Sequence, residues 1–256
     1  MRDHPLLAHT HAGEGAPVVL LHAFPLDGRM WEPQLKGLSD RGLIIAPDLS
    51  GFGRSLTPNP PVMVEDHAYD IAHLLDALHL ERVTLVGLSM GGYIALAFAR
   101  RYPQRLRALV LANTKATPDT PDQKRARDEN IALVESDGVS ALASKIIPKL
   151  LSQKSPTALI AQVRALADGQ SADATCRALE AMRDRLDASE VLRSLDMPVH
   201  LIASSEDAII APDIMKTMCG PDVGWKLIEG AGHLSNLDAP EAFNNAIISV
   251  LEDSAH

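Results

Sequence analysis

Residues 83–92, VTLVGLSMGG, decide the fold that we predict for this chain. An apolar run typical of a β-strand, residues 83–86, leads into Gly87-Leu88-Ser89-Met90-Gly91, and a run with helical character follows at once. When a Gly-x-Ser-x-Gly pattern lies between a strand and a helix, its serine occupies a sharp, strained turn with the hydroxyl exposed. The two outer glycines let the strand and the helix approach without Cβ clashes. We therefore predict that Ser89 is a nucleophile at the end of a β-strand.

Strand-like and helix-like segments alternate on both sides of this stretch. Further short apolar runs predict strands at 18–21, 43–46, 108–111, 199–203 and 226–228. Spacing of apolar residues predicts helices at 30–38, 64–78 and 239–251. Continuous apolar strands that alternate with helices are typical of a parallel sheet buried on both faces. We predict an α/β fold with a mostly parallel sheet covered by helices on both faces.

Residues 115–196 differ in composition from the rest of the chain. They contain no Phe, Trp or Tyr and are rich in Ala, Leu, Arg and Asp. Helical spacing recurs in three groups, which are Val139/Leu142/Ile146/Leu150, Leu159/Val163/Leu166 and Leu179/Met182/Leu186. Pro148 is expected to kink or end the first helix. We predict an inserted helical cap at 115–196, with the core formed by 1–114 and 197–256.

Composition limits the classes of function. The chain has 256 residues, 46% of them hydrophobic, and a formal net charge of −9, which does not favour nucleic acid or anionic membrane as partners. Its two cysteines, Cys176 and Cys219, form no C-x-x-C pair, and the first residues lack the apolar run of a signal peptide. These features predict a cytoplasmic protein without a disulfide framework. Composition leaves the oligomeric state open.

A serine nucleophile needs a general base, and the base needs an orienting group. His233 follows the last predicted strand in a glycine-containing loop, and Asp207 lies just beyond the preceding strand. The order Ser89, Asp207, His233 is the one that this type of turn requires. All three also lie after strands, where reactive groups gather in open parallel sheets. We predict that they form a catalytic triad.

Other acids and one further histidine are alternatives to this assignment. Glu206 and Asp213 are rival acids, but Glu206 should point away from its neighbour and Asp213 should lie in the first turn of a helix. Another acid position, after the strand at 108–111, carries Asn113, which cannot act as a carboxylate. His22 is expected to be a structural histidine that stabilises its loop rather than a catalytic one.

A tetrahedral oxyanion needs two preorganised N–H donors. One is expected from Met90, which follows the nucleophile. The other is expected from Phe24 in the loop after the first buried strand, because Pro25 has no N–H. Residues 51–53 lack the third glycine of a dinucleotide loop, and neither a P-loop nor an H-E-x-x-H motif occurs. We predict no cofactor and no metal.

These motifs together resemble the α/β-hydrolase superfamily over nearly the whole chain. The similarity is carried by residues 22–25, 47–55 and 87–92, by Asp207 and by Gly232-His233. The tail 232–243 is similar to that of small carboxylesterases and 3-oxoadipate enol-lactonases. Three features differ from the family pattern: Ser50 replaces a common Arg, residues 22–25 are not of the triple-glycine type, and the cap lacks the Trp that lactonase caps often supply.

The resemblance and the predicted triad imply a serine hydrolase that cleaves small carboxylic esters through an acyl-enzyme. The same triad would support enol-lactone hydrolysis, C–C bond hydrolysis or cofactor-free perhydrolysis, and a non-enzymatic alternative is a ligand sensor or partner-binding protein with vestigial hydrolysis. A substrate carboxylate would need a cap cation, for which Lys145, Lys149, Arg164, Arg177 and Arg183 are candidates. Ile146, Ile147, Leu150 and Met182 are candidate walls of the substrate pocket, although packing between cap helices would equally explain them.

Overall fold

The computed structural model describes residues 6–57, 60–221 and 223–253. Within these residues, seven strands form one sheet in the order β1-β3-β2-β4-β5-β6-β7. The strands are β1 (His9–Ala12), β2 (Pro17–Leu21), β3 (Leu43–Pro47), β4 (Val83–Leu88), β5 (Leu106–Ala112), β6 (Val199–Ser204) and β7 (Val223–Ile228). All neighbours pair in parallel except β1, which is antiparallel to β3. The carboxyl ends of β2 and of β4–β7 therefore meet at one edge of the sheet.

The central strands are almost entirely apolar because both faces of the sheet are covered; Thr84 of β4 and Arg107 of β5 are polar exceptions. Val19 and Leu21 belong to one hydrophobic cluster, whereas Val18 and Leu20, which alternate with them, belong to the other. Helices α2 (Val64–Ala77) and α3 (Met90–Arg101) contribute to the first cluster. Helices α1 (Glu32–Gly37) and α11 (Pro240–Asp253) contribute to the second. The predicted α/β fold, a mostly parallel sheet between two helical layers, is confirmed.

The chain between β5 and β6 is helical. It forms α4 (Pro121–Asp137), α5 (Val139–Leu150), α6 (Thr157–Asp168), α7 (Ala172–Asp184) and the short α8 (Ser189–Arg193). A capping box between Thr120 and Gln123 starts α4. We refer to α4–α8 as the inserted helices. Two further short helices, α9 (Pro212–Lys216) and α10 (Ser235–Asp238), follow β6 and β7.

Some local details differ from the predictions. The segment 30–38 is a 3-10 turn, Gly28–Trp31, that continues into α1. Pro148 is expected from the sequence to kink or end its helix; α5 continues past it and ends two residues later, at Leu150. Leu186 lies beyond the end of α7 and is largely exposed, so it does not extend the apolar face of that helix. In the part of the chain that the structure describes, no helix is long and apolar enough to cross a membrane.

Candidate active site

Ser89 lies between β4 and α3 in a strained conformation. Its φ of 54° and ψ of −112° fall in a region that residues other than glycine rarely adopt. The Ser89 N–H donates to the Ala112 carbonyl at 2.9 Å, and the Ser89 carbonyl accepts from the Gly92 N–H and the Thr114 hydroxyl, both at 2.9 Å. Hydrogen bonds from β5 and α3 therefore hold the strained turn in place.

Close backbone contacts require the glycines on both sides of Ser89. A Cβ atom on Gly87 would lie 2.3 Å from the Gly91 carbonyl oxygen, and one on Gly91 would lie 2.2 Å from the Leu21 carbonyl oxygen. Both distances are far below van der Waals contact, and the obstructing atoms are backbone. Any side chain at these two positions would thus push β4, α3 and β2 apart and move Ser89.

Asp207 and His233 are hydrogen-bonded to each other and are both buried. His233 Nδ1 lies 2.9 Å from Asp207 Oδ2 and 3.0 Å from Oδ1. A carboxylate only accepts hydrogen bonds, so Nδ1 carries the proton and Nε2 is the nitrogen that could accept one. Asp207 Oδ1 also accepts from the N–H groups of Ile209 and Ile210, at 2.8 and 2.9 Å. These bonds orient the carboxylate toward the imidazole.

The environment keeps Asp207 ionised. Burial by itself raises the pKa of the Asp207 carboxyl, but opposing interactions outweigh it. The charge of His233 and the hydrogen bonds from His233, the Ile210 N–H and the Asn113 amide together hold this pKa below its ordinary value. A permanently charged carboxylate at Nδ1 stabilises an imidazolium, which is what a general base becomes after it takes a proton.

Asn113 has a place in the site that the sequence analysis did not assign to it. It follows β5, has a φ of 46°, and donates from Nδ2 to Asp207 Oδ2 at 2.9 Å and to the Ser204 hydroxyl. Its Oδ1 accepts from the Ser235 hydroxyl at 2.6 Å. The sequence signal for this role is its position directly after the apolar strand predicted at 108–111, since reactive groups gather at such strand ends in open parallel sheets.

The two rival acids have other partners. Glu206 Oε1 lies 3.9 Å from Lys154 Nζ, and Asp213 Oδ1, in the first turn of α9, lies 3.4 Å from Lys216 Nζ. The Asp213 side chain is 90% exposed. Among the described residues, no group of three or more His, Cys, Asp or Glu side chains could hold a metal ion.

His22 is fully buried and connects the loops that follow β2 and β3. Its Nε2 accepts from the Leu49 N–H at 3.0 Å, so its Nδ1 carries the proton and donates to the Ala23 carbonyl at 3.0 Å. Burial lowers the pKa of His22 and outweighs the nearby charges of Asp27 and Asp48. These contacts are those of a neutral, structural histidine.

The two expected oxyanion donors lie beyond adjacent parallel strands. Phe24 follows β2 and Met90 is the first residue of α3, and the register pairs Leu21 of β2 with Gly87 of β4. The Phe24–Pro25 peptide bond is cis. The strand pairing places the backbone of both residues at the same edge of the sheet as Ser89.

The candidate pocket residues lie in different parts of the core. Ile147 and Leu150 belong to one hydrophobic cluster and Met182 to the other, while the partly buried Ile146 packs against both. The Leu150 carbonyl accepts from the Leu234 N–H at 2.8 Å, so the end of α5 contacts the loop that carries His233. Leu150 therefore contacts, through its backbone, a direct neighbour of a predicted triad residue.

Comparison with known proteins defines the class to which this fold and site belong. The model of the alpha/beta hydrolase family matches residues 18–246. RutD of Caulobacter sp. (strain K31), named for carbamate hydrolase activity, is 30% identical over 252 residues, covering 95% of this chain and 93% of RutD. The 3-oxoadipate enol-lactonase 2 of Acinetobacter baylyi is 28% identical, covering 87% of this chain and 84% of its own.

A solved structure gives the same result. A thermophilic esterase from Thermogutta terrifontis, determined with malate bound, superposes with a TM-score of 0.93 at 35% identity, covering 97% of this chain and 93% of the esterase. The chain belongs to the alpha/beta hydrolase family. Family membership and these relatives show that the chain is a hydrolase. The relatives themselves are named as a carbamate hydrolase, an enol-lactonase and an esterase.

Proposed function

We propose that this hydrolase cleaves small carboxylic esters through an acyl-enzyme, with Ser89 as nucleophile, His233 as general base and Asp207 as the group that orients His233. The observation that carries the proposal is the buried Asp207–His233 pair, 2.9 Å between Oδ2 and Nδ1, at the sheet edge where Ser89 is held at a φ of 54°. The similarity to an esterase at 35% identity supports the ester as substrate.

The proposed reaction has two halves, and the same groups act in both. His233 Nε2 takes the Ser89 proton as Oγ attacks the ester carbonyl, and the backbone N–H groups of Phe24 and Met90 stabilise the oxyanion. The imidazolium then gives its proton to the departing alcohol, leaving an acyl-Ser89 ester. Water attacks this ester by the same route, which releases the carboxylic acid and restores Ser89.

We further propose that residues 115–196 form the cap over this site. Their charges favour an uncharged substrate, because four of the five cations named above for a substrate carboxylate, all except Lys149, are engaged with cap groups. Arg164 pairs with Asp168 at 3.1 Å, Arg177 with Asp173 at 3.3 Å, and Arg183 with Asp128 at 2.6 Å. Lys145 donates to Asn130. A neutral ester fits this cap better than an anionic lactone.

Enol-lactone hydrolysis is the second candidate, because two enol-lactonases of Acinetobacter baylyi are 28% and 29% identical to this chain. The two functions share the triad and differ in whether the substrate carries a carboxylate. Rates on p-nitrophenyl acetate, butyrate and octanoate, compared with the rate on an enol-lactone that carries a carboxylate, separate the two functions. A peracid assay on the same protein tests for perhydrolysis.

The decisive variant is Ser89→Ala. We expect kcat/KM for p-nitrophenyl acetate to fall by roughly 10⁴-fold, because the acyl-enzyme cannot form. The exposed Asp213→Asn serves as a control and should keep full activity. Multiple turnover on simple esters would exclude a sensor with vestigial hydrolysis, and full activity in Ser89→Ala would disprove the proposed mechanism.

A further inference from the structure

One carboxylate joins the cap to the loop that carries His233. Asp238, the last residue of α10, accepts two backbone N–H groups at its Oδ2, from Ser152 and from Gly232, each at 2.8 Å. Its Oδ1 accepts from the Ser155 hydroxyl. Ser152 and Ser155 lie in the connection between α5 and α6, whereas Gly232 directly precedes His233. Asp238 therefore bridges two segments that are some 80 residues apart in sequence.

The cap backbone also contacts this loop directly. A Cβ atom on Gly232 would lie 2.5 Å from the Ser152 nitrogen and 2.6 Å from the Leu151 carbonyl carbon. On the other side of His233, the Leu234 N–H donates to the Leu150 carbonyl at 2.8 Å. Residues 150–152 of the cap are thus packed against the neighbours of His233 on both sides, and Gly232 lacks a side chain where the two backbones meet.

We infer that Asp238 is a positioning residue that fixes the His233 loop against the cap segment 150–155, and thereby sets both the reach of the imidazole and the adjoining wall of the substrate pocket. This inference rests on the proposed function, in which His233 is the general base. A displacement of a reacting group by about 1 Å can cost roughly 10²-fold in rate, so an effect of this size is expected without any contact to substrate.

The hydrogen-bond pattern predicts which substitution is tolerated. In Asp238→Asn, the amide oxygen can accept both N–H groups, and the amide NH₂ can donate to the Ser155 hydroxyl, which also accepts. In Asp238→Leu, a side chain of similar shape accepts none of them. Gly232→Ala leaves Asp238 intact but places a methyl group against the cap backbone, so it tests the same contact from the other side.

The experiment compares these three variants with the wild-type protein on p-nitrophenyl acetate and on a bulkier ester. For Asp238→Leu and Gly232→Ala we expect kcat to fall by roughly 10²-fold. For Asp238→Asn we expect kcat to stay within about threefold of wild type on both esters. Asp213→Leu, on the exposed face of α9, is the matched control and should leave kcat unchanged on both esters.

Amide hydrogen exchange at residues 150–155 and 230–234, measured by mass spectrometry, tests the contact independently of turnover. Exchange should rise in Asp238→Leu and stay at the wild-type level in Asp238→Asn. If Asp238→Leu does not fold, Gly232→Ala supplies the same comparison. Wild-type kinetics and exchange in both disruptive variants would overturn the inference, as would Asp238→Asn being as impaired as Asp238→Leu. A wild-type protein without esterase activity would instead contradict the proposed function, while the exchange result would still decide the role of Asp238 in joining the loops.

Discussion

Asn113 shows how one side chain can connect three strands at this site. It follows β5, donates to Asp207 beyond β6, and accepts from Ser235 beyond β7. Its left-handed backbone, with a φ of 46°, is one that asparagine tolerates better than most residues. The amide thus helps to keep Asp207 both oriented and ionised.

We predict that Asn113→Gly lowers kcat for p-nitrophenyl acetate by roughly 10- to 100-fold with little change in KM. Glycine accepts the left-handed backbone, so the variant removes the amide without adding strain. The loss of a hydrogen bond to the charged Asp207 corresponds to about 1.5–3 kcal/mol, which accounts for the fall in kcat. KM changes little because the Asn113 amide bonds to Asp207 rather than to the substrate. Steady-state kinetics measure the effect.

The control for this variant is Asn130→Ala. It removes an exposed amide on the inserted helices, which accepts a hydrogen bond from Lys145. It should leave kcat unchanged. A wild-type kcat in Asn113→Gly would mean that the amide does not support Asp207.

At the scale of elements, the loops after β2 and β3 depend on a neutral imidazole. His22 accepts from Leu49 and donates to Ala23, and protonation would remove the first bond and place a charge in a fully buried position. The folded-state pKa of His22 is lowered, chiefly by burial. The unfolded chain therefore binds this proton more readily than the folded chain as the pH falls below about 6.5.

We predict that this difference destabilises the protein in mild acid. As pH decreases below the ordinary pKa of histidine, the His22 contribution to the free energy of unfolding falls with a slope approaching about 1.4 kcal/mol per pH unit. In His22→Gln, a neutral amide oxygen can still accept from the Leu49 N–H and does not titrate. Urea unfolding at pH 7.5 and 5.5 should therefore show a smaller loss of stability in the variant.

The exposed His73→Gln is the matched control and should keep the wild-type difference between the two pH values. If His22→Gln instead loses as much stability as wild type on acidification, His22 is not the group responsible.

At the scale of the whole molecule, a buried ionic cluster attaches the inserted helices to the core. Asp119 accepts from Arg185 at 2.8 Å and from Arg127 at 3.1 Å, and lies 3.4 Å from Lys115 Nζ. The Arg185 guanidinium also lies over the Tyr93 ring of α3, at 3.9 Å from its centroid. Both ends of the inserted segment therefore converge on one carboxylate.

We predict that Asp119→Asn lowers the free energy of unfolding by about 3–5 kcal/mol, because it leaves buried cations without their counter-charge. Burial raises the pKa of Asp119, but Arg127 and Arg185 outweigh it and hold the pKa below its ordinary value, so the native carboxylate is charged. Asp128→Asn, which removes the partner of Arg183 at a half-exposed position, should cost no more than about 1 kcal/mol. Urea unfolding of the two variants would refute this role of Asp119 if their stabilities were equal.

The accuracy of the sequence prediction follows burial. The strands at 18–21, 43–46, 83–86 and 108–111 could be recognised because a parallel strand buried on both faces is apolar at nearly every position. The edge strand β1 was missed because residues 9–12 are half-exposed and partly polar. Helix α4 was missed because it is exposed along most of its length, with Val134 as its buried residue, so it has no apolar face to detect.

The sequence by itself determined the parallel α/β sheet and the turn at Ser89, because both depend on neighbouring residues: apolar runs form strands, and glycines permit the turn. Only the tertiary structure decided which side chains support that turn. Asn113 meets Asp207 from 94 residues away, and Asp238 meets Ser152 from 86 residues away. Such hydrogen bonds have no local period or spacing, since their partners become neighbours only when the strands pair and the inserted helices pack against the sheet.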